Sequence, residues 1–246
     1  MGTAIVITSG KGGTGKTSLT AGVASCLAAL GRRVLCLDGD IGLRNLDLAL
    51  GMSDQALMDF TDVIAGRCPL ELAVPEHPEI KNLHLLTAPV TPPSQPISPA
   101  EMRELITRLK ARYDYCLIDC PAGIGSGFQL ATCGADRAVV VSTTDASSLR
   151  DAQRTVAELR GRLPRLHLVM NRVQPKLLRR LRTNIDDAMD AAGLPLLGIV
   201  PEDETVTLAA NQGKPLILAT AKGAALAYLN IARRLDGQRV PLMRIK

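Results

Sequence analysis

The stretch Gly10-Lys11-Gly12-Gly13-Thr14-Gly15-Lys16-Thr17-Ser18 decides how the rest of the chain is read. Ahead of it stands Ala4-Ile5-Val6-Ile7, an apolar run that reads as a buried parallel strand. Behind it Leu19, Val23, Cys26, Leu27 and Leu30 are spaced for one face of a helix, which Gly31 ends. Strand, glycine-rich turn and helix form the context of a phosphate-binding loop. The glycines let backbone N–H groups converge on an anion without Cβ clashes, and the helix N-terminus adds partial positive charge. Lys16 can reach the β- and γ-phosphates, and the Thr17 hydroxyl is placed to ligate Mg²⁺. Position 11 is a second lysine at the loop entrance. With Lys16 already serving the phosphates, Lys11 is not expected to hold the same phosphates in the same geometry.

Moving outward, Val34-Leu35-Cys36-Leu37 reads as the next strand and runs into Asp38-Gly39-Asp40. Carboxylates at the C-terminal end of a strand sit beside a bound phosphate in open α/β sheets. Asp38 and Asp40 therefore suggest a Mg²⁺ shell and a water-orienting group. The run Tyr115-Cys116-Leu117-Ile118-Asp119 is a hydrophobic strand ending in a carboxylate, as expected of a group near the magnesium water shell. Pro121-Ala122-Gly123 follows as a small-residue turn that permits close backbone approach to a γ-phosphate.

Alternation continues along the chain. A helix is expected over 56–65, a strand over 82–86 and a proline-rich surface loop over 91–97. Ser98-Pro99-Ala100-Glu101 carries an N-cap serine, a proline at N1 and a glutamate at N3. Beyond it the pattern predicts strands over 138–142, 166–170 (ending at Asn171) and 196–200 (ending at Pro201). Helices are expected over 147–163, 177–192 and 202–211, with a final helix whose Ala224, Tyr228, Ile231 and Leu235 share one face. Strands alternating with helices predict an α/β fold, with a mostly parallel central sheet covered by helices on both faces.

Composition narrows the partners. Aromatic residues make up 2% of the chain and tryptophan is absent, so stacking on single-stranded nucleic acid is poorly supported. A net charge of +5 suits anionic partners without selecting one, and no sequence-specific nucleic acid is expected. The six cysteines read as small core hydrophobes, and with three scattered histidines they form no metal-ligand pattern. The N-terminus lacks the segments of a signal peptide, and no apolar stretch is long enough to span a bilayer, so a cytoplasmic protein is expected.

The doubled lysine of the loop resembles the deviant Walker A loop of the MinD/ParA family of P-loop ATPases. The resemblance runs along the chain. Asp40-Ile41-Gly42-Leu43-Arg44-Asn45-Leu46-Asp47 is similar to switch I of the septum-placing members, and Cys120-Pro121-Ala122-Gly123-Ile124 to their switch II. Ser147-Ser148-Leu149-Arg150-Asp151 resembles the helix start at which they meet the division inhibitor MinC. Leu197 to Asp203 and Ile231 to Arg234 are similar as well. Arg44 favours this branch over the flagellar-number ATPases (FlhG), which usually have alanine there.

The resemblance implies one P-loop NTPase domain over 1–246, with a short tail over 237–246. It implies a Mg²⁺- and ATP-dependent ATPase that dimerises with ATP, regulates septum placement and is released by hydrolysis to ADP and phosphate. Gly10, Lys11, Gly12, Gly13, Thr14, Gly15, Lys16, Thr17 and Ser18 would form the nucleotide loop, and Asn171 and Pro201 would frame the adenine. Lys11 would touch the partner subunit's ATP, Lys16 the β- and γ-phosphates, and Asp40 the attacking water. Thr17 would bind Mg²⁺, with Asp38 and Asp119 acting through its waters. The partners implied are MinC-type and MinE- or DivIVA-linked division regulators, with peripheral attachment at the inner face of the cell membrane. Two departures count against the last two. Gln153 stands where a second acidic residue is expected on the MinC-facing helix, and Val240-Pro241-Leu242-Met243-Arg244-Ile245-Lys246 is a poor amphipathic helix, so only weak membrane binding is expected of it. A ParA-like or FlhG-like positioning ATPase, acting on DNA through Arg179, Arg180 and Arg182 or on another cargo, is the alternative.

Overall fold

A computed structural model describes all residues except 56, 182, 183 and 244–246. In chain order the elements are β1 (Thr3–Thr8), α1 (Lys16–Ala29), β2 (Val34–Asp38), α2 (Leu46–Leu50), α3 (Phe60–Ile64), α4 (Leu70–Ala73), β3 (Leu83–Leu86), α5 (Pro99–Lys110), β4 (Tyr115–Asp119) and α6 (Ser126–Thr132). They continue as β5 (Arg137–Ser142), α7 (Ala146–Leu159), β6 (Arg165–Val173), α8 (Pro175–Leu181), α9 (Ile185–Ala192), β7 (Leu196–Pro201), α10 (Glu204–Asn211), α11 (Leu216–Ala219) and α12 (Gly223–Leu235).

The strands form one sheet in the order β3-β2-β4-β1-β5-β6-β7, and every pairing is parallel. A parallel sheet needs helices on both faces, and its strands read as continuous apolar runs because neither face meets water. Side chains alternate along each strand. Val6, Leu35, Leu37, Cys116 and Ile118 face one way, into a core shared with α5 and α7. Ile5, Ile7, Val34, Cys36 and Leu117 face the other way, into a core shared with α1 and α12. The chain leaves β1 toward β2 on one side and later crosses to β5 on the other, so the end of β1 is the switch point where open α/β sheets bind ligands.

Several elements differ from expectation, each for a local reason. Helix α1 is buried on nearly every side from Leu19 to Ala28, not along one stripe. Its outer side is covered by α12, packed so closely that a Cβ on Gly22 would lie 2.1 Å from the Tyr228 ring. The helix expected over 177–192 is two helices. Asn184 caps α9, its side chain accepting from the Asp187 amide at 2.9 Å while the Asp187 carboxylate accepts from the Asn184 amide at 2.9 Å. Arg182 lies outside the described residues, as does Ala56, the expected start of a helix that instead begins at Phe60 behind a capping box made by Asp59 and Asp62. Strand β6 does not stop at Asn171. It continues to Val173 through a bulge in which Arg172 takes a φ of 54°. The predicted box at Ser98 forms, with Glu101 accepting from the Ser98 amide at 2.8 Å. The sequence pattern predicts none of the short helices α2, α4, α6 and α11.

Candidate functional site

The site grows from strand register. Pairing of β2 with β4 sets Asp38 beside Asp119, and pairing of β1 with β4 sets Ile7 beside Asp119. Two carboxylates thus converge at the exit of β1, where the glycine loop turns into α1. Gly13 and Gly15 take φ values of 78° and 88°, left-handed backbone that side chains resist. A Cβ on Gly13 would point into open space, whereas one on Gly15 would lie 2.3 Å from Asn171 Nδ2.

Lys16 opens α1 and is only 8% exposed. Its ammonium donates to Ser9 Oγ at 3.1 Å, and among the described residues no carboxylate pairs with it. The Ser9 hydroxyl in turn donates to the Lys11 carbonyl at 2.6 Å, which braces the loop. Thr17 donates to Asp119 Oδ2 at 2.6 Å, and Thr20 lies 3.4 Å from the other carboxylate oxygen. Asp38 accepts from the Asp40 amide at 2.9 Å and the Leu46 amide at 3.1 Å, fixing both ends of the turn 40–46.

Electrostatics follow from burial. Asp119 is 2% exposed, and loss of water pushes its carboxyl up to about 7 despite the Thr17 hydrogen bond. Burial raises Asp38 to about 6, although the two backbone donors oppose it. Asp40 is raised less, again by burial, with the Lys16 ammonium pulling the other way. These carboxylates want cationic charge that the protein alone does not provide. The adjoining cleft of ≈ 320 Å³ is lined by Gly13, Gly15, Lys16, Thr17 and Ser18 of the loop, and by Asn171, Pro201 and Glu202 opposite. Buried Thr14 Oγ1 has no partner among the described residues. A buried ammonium and an orphaned hydroxyl beside a concave glycine backbone fit phosphate, and the Thr17–Asp38–Asp119 oxygen set suits a hard divalent cation.

Not every predicted residue faces the cleft. Gly10 packs under α7, where a Cβ would lie 2.4 Å from the Asp151 carbonyl. Gly12 is open except for Ala122, 3.9 Å away. Lys11 turns outward, its ammonium 2.9 Å from both Asp145 Oδ1 and Ser147 Oγ at the start of α7. Asn171 is buried, and its amide donates to the Thr14 carbonyl at 2.7 Å, tying β6 to the loop. Gln153 donates to the Ala191 carbonyl at 2.7 Å, joining α7 to α9.

Sequence reasoning missed Ser9, Thr20 and Asp145, and the pairing of Arg172 with Glu202 at 2.9 Å across the cleft rim. The polar run Thr143-Thr144-Asp145-Ala146-Ser147 signals a helix cap and so could have drawn attention to Asp145. Nothing in the sequence marks the bulge that aims Arg172.

Comparison with known proteins agrees with this fold. Residues 5–216 match the model of the CobQ/CobB/MinD/ParA nucleotide binding domain. The septum site-determining protein MinD of Bacillus subtilis is 41% identical over 98% of this chain and 92% of its own length. The structure of the MinC:MinD cell division complex from Aquifex aeolicus superposes with a TM-score of 0.92 at 37% identity, covering 98% of each chain. MinD from Pyrococcus horikoshii, complexed with Mg-ADP, superposes at 0.84 with 32% identity over 96% of each chain. With this sheet order, this loop and these relatives, the chain belongs to the MinD/ParA family of P-loop nucleotide-binding proteins.

Proposed function

We propose that this protein is a Mg²⁺- and ATP-dependent dimerising ATPase switch that takes part in placing the division septum. The observation that carries the reading is the gathering of buried Lys16 with Thr17, Asp38, Asp40 and Asp119 at the end of β1, while Lys11 stands outside that cluster. Lys16 would neutralise charge developing on the γ-phosphate, and the loop amides would hold the phosphates in place. Thr17 would ligate Mg²⁺ directly, with Asp38 and Asp119 holding its waters. Bound magnesium supplies charge neutralisation at the β- and γ-oxygens. Asp40, only partly buried, would orient the attacking water. Lys11 would leave α7 to reach the nucleotide of a second subunit, and hydrolysis would release the dimer. Asn171, with Pro201, would frame the adenine.

A MinC-type partner is supported by the resemblance at Ser147 to Asp151 and by the MinC complex of the Aquifex aeolicus relative. Against it, Gln153 is spent on α9. Peripheral membrane attachment is likewise a proposal. Among the described residues no helix is long and apolar enough to cross a membrane.

The test is Asp40→Ala. A group that acts on water matters for the chemical step more than for binding, so this variant should accumulate the ATP-bound dimer in light scattering. Variant dimers that decay with ATP at the wild-type rate would refute the assignment.

A further inference from the structure

The pole of the sheet opposite the nucleotide cleft holds a second cavity, of ≈ 530 Å³, between the starts of β5 and β6 and the end of α12. Among the described residues its side-chain polar lining is three guanidinium groups and an imidazole, Arg137, Arg165, Arg234 and His167, with no carboxylate. Parallel register places Arg137 directly beside Arg165, and Val139 beside His167. Alternation then puts both arginines and the histidine on the face that carries Val139 and Val169, which is the α12 side. Like charges side by side on neighbouring strands oppose folding, and sheets usually avoid them.

Intramolecular partners do not neutralise this cluster. Among the described residues no ion pair involves Arg137, Arg165 or Arg234. Arg234 spends its guanidinium on the carbonyls of Leu197, Val240 and Pro241, and Arg137 reaches the Leu235 carbonyl only at 3.5 Å. Asp236, which follows α12, is bound by Arg32 at 2.8 Å and by Tyr115 at 3.1 Å. A helix C-terminus offers about half an elementary charge, too little for three guanidinium groups. In addition, His167 Nδ1 is buried without a partner among the described residues.

We infer that this cavity binds a phosphoryl group carrying two or more negative charges, held by Arg137, Arg165 and His167. Guanidinium forks match phosphoryl oxygens, and the open depression has room for a phosphoryl group. Supporting this, burial and the charges of Arg137 and Arg165 hold the His167 imidazole below its usual range. An anion lodged among these groups reverses that effect. The site is separate from the nucleotide loop and does not rest on the proposed activity. One phosphoryl chemistry has two sources, a soluble phosphate ester or a lipid headgroup.

Inorganic pyrophosphate titrated into the full chain saturated with Mg·ADP, so that the loop is filled, separates the sites. Calorimetry should show one further equivalent bound, and the His167 ring resonances should report a raised pKa. Arg165→Ala should weaken this binding by about tenfold or more and leave ATP turnover unchanged. Arg137→Gln should do the same, which guards against misfolding of either variant. In a parallel arm, flotation with phosphatidylcholine vesicles containing phosphatidic acid identifies the source. Binding that depends on Arg165 for pyrophosphate assigns a soluble ligand, and dependence for vesicles alone assigns the headgroup. If neither pyrophosphate nor vesicle binding responds to Arg165→Ala or Arg137→Gln, or if His167 is unmoved by whichever of the two binds, the site does not exist.

Discussion

Lys11 Nζ lies 2.9 Å from Asp145 Oδ1, a contact that joins the phosphate loop to the first turn of α7 across 134 positions of sequence. The two side chains are 34% and 52% exposed. Burial would raise the Asp145 carboxyl, but the hydroxyls of Ser147 and Thr143 and the Lys11 ammonium outweigh it and hold the group well below the usual carboxylate range. An ion pair this exposed contributes at most about 1 kcal/mol, so Lys11 is easily released. The contact therefore makes Lys11 a latch between the loop and α7.

Two substitutions separate latch from cap. Lys11→Ala should retain nucleotide binding and stability within about 1 kcal/mol, yet fail to dimerise with ATP. Asp145 also caps α7 by accepting from the Ser148 amide at 3.0 Å. Asp145→Asn keeps a capping oxygen but removes the charge, so it should dimerise at a lower protein concentration than wild type. Light scattering across a dilution series measures both. An Asp145→Asn midpoint equal to wild type would show that the ion pair does not restrain Lys11.

Lys16→Ala predicts opposite signs for activity and stability. Among the described residues the ammonium's only hydrogen-bond partner is a hydroxyl, so in the nucleotide-free protein its burial is offset only by the longer-range pull of Asp40 and Asp119. The variant should lose ATP hydrolysis by on the order of 100-fold or more, while its Tm without nucleotide stays level or rises. The rise in Tm that ADP gives the wild type should shrink, since weaker binding stabilises less. A variant that is destabilised without nucleotide would instead make Lys16 a structural residue.

Much of this was legible because it is local. The strand, glycine turn and helix around Lys16 lie within thirty residues, and Asp38 and Asp119 announce themselves as carboxylates closing apolar strands. The Ser98 cap was readable from its spacing alone. What stayed hidden depends on long-range packing. No pattern links Lys11 to Asp145, and α1 hides its all-round burial because Tyr228 and Gly22 are remote in sequence. The break between α8 and α9 hid behind a continuous apolar period, although Asn184 and Asp187 had the spacing of a cap. Asn171 looked like a strand end because the bulge after it leaves no mark in composition.

Acid–base behaviour of the carboxylate pair gives a test with a definite sign. Burial raises Asp119 from an ordinary 3.8 to about 7 and Asp38 to about 6. A carboxyl whose pKa is higher in the folded state contributes stability below its unfolded value, and loses it as pH rises through the folded value. The nucleotide-free protein should therefore lose stability from these groups as pH rises from about 4 to about 8. Asp119→Asn removes the ionising group but keeps an acceptor for Thr17. It should raise Tm relative to wild type at pH 8 and not at pH 5, with a difference on the order of 1–3 kcal/mol. Equal effects at both values would mean that Asp119 does not titrate in this range.

The last prediction rests on the tie between β6 and the loop. Asn171 Nδ2 donates to the Thr14 carbonyl at 2.7 Å in a buried setting, and Gly15 leaves the space the amide occupies. Asn171→Ala leaves that carbonyl without its donor, which costs about 1–3 kcal/mol and loosens the loop. Asn171→Asp has nearly the same shape but puts a carboxylate against a carbonyl oxygen and beside the proposed phosphate site. Shape alone would make the aspartate the milder change, whereas charge makes it the harsher one. Coulomb repulsion is strongest where water is excluded, so charge should prevail. Equilibrium binding of a fluorescent ADP analogue should weaken about tenfold in Asn171→Ala and at least about tenfold further in Asn171→Asp. Gly15→Ala should resemble Asn171→Ala, because its Cβ displaces the same amide and the left-handed φ of 88° adds strain. If Asn171→Asp binds as well as Asn171→Ala, the amide does not act through the Thr14 carbonyl.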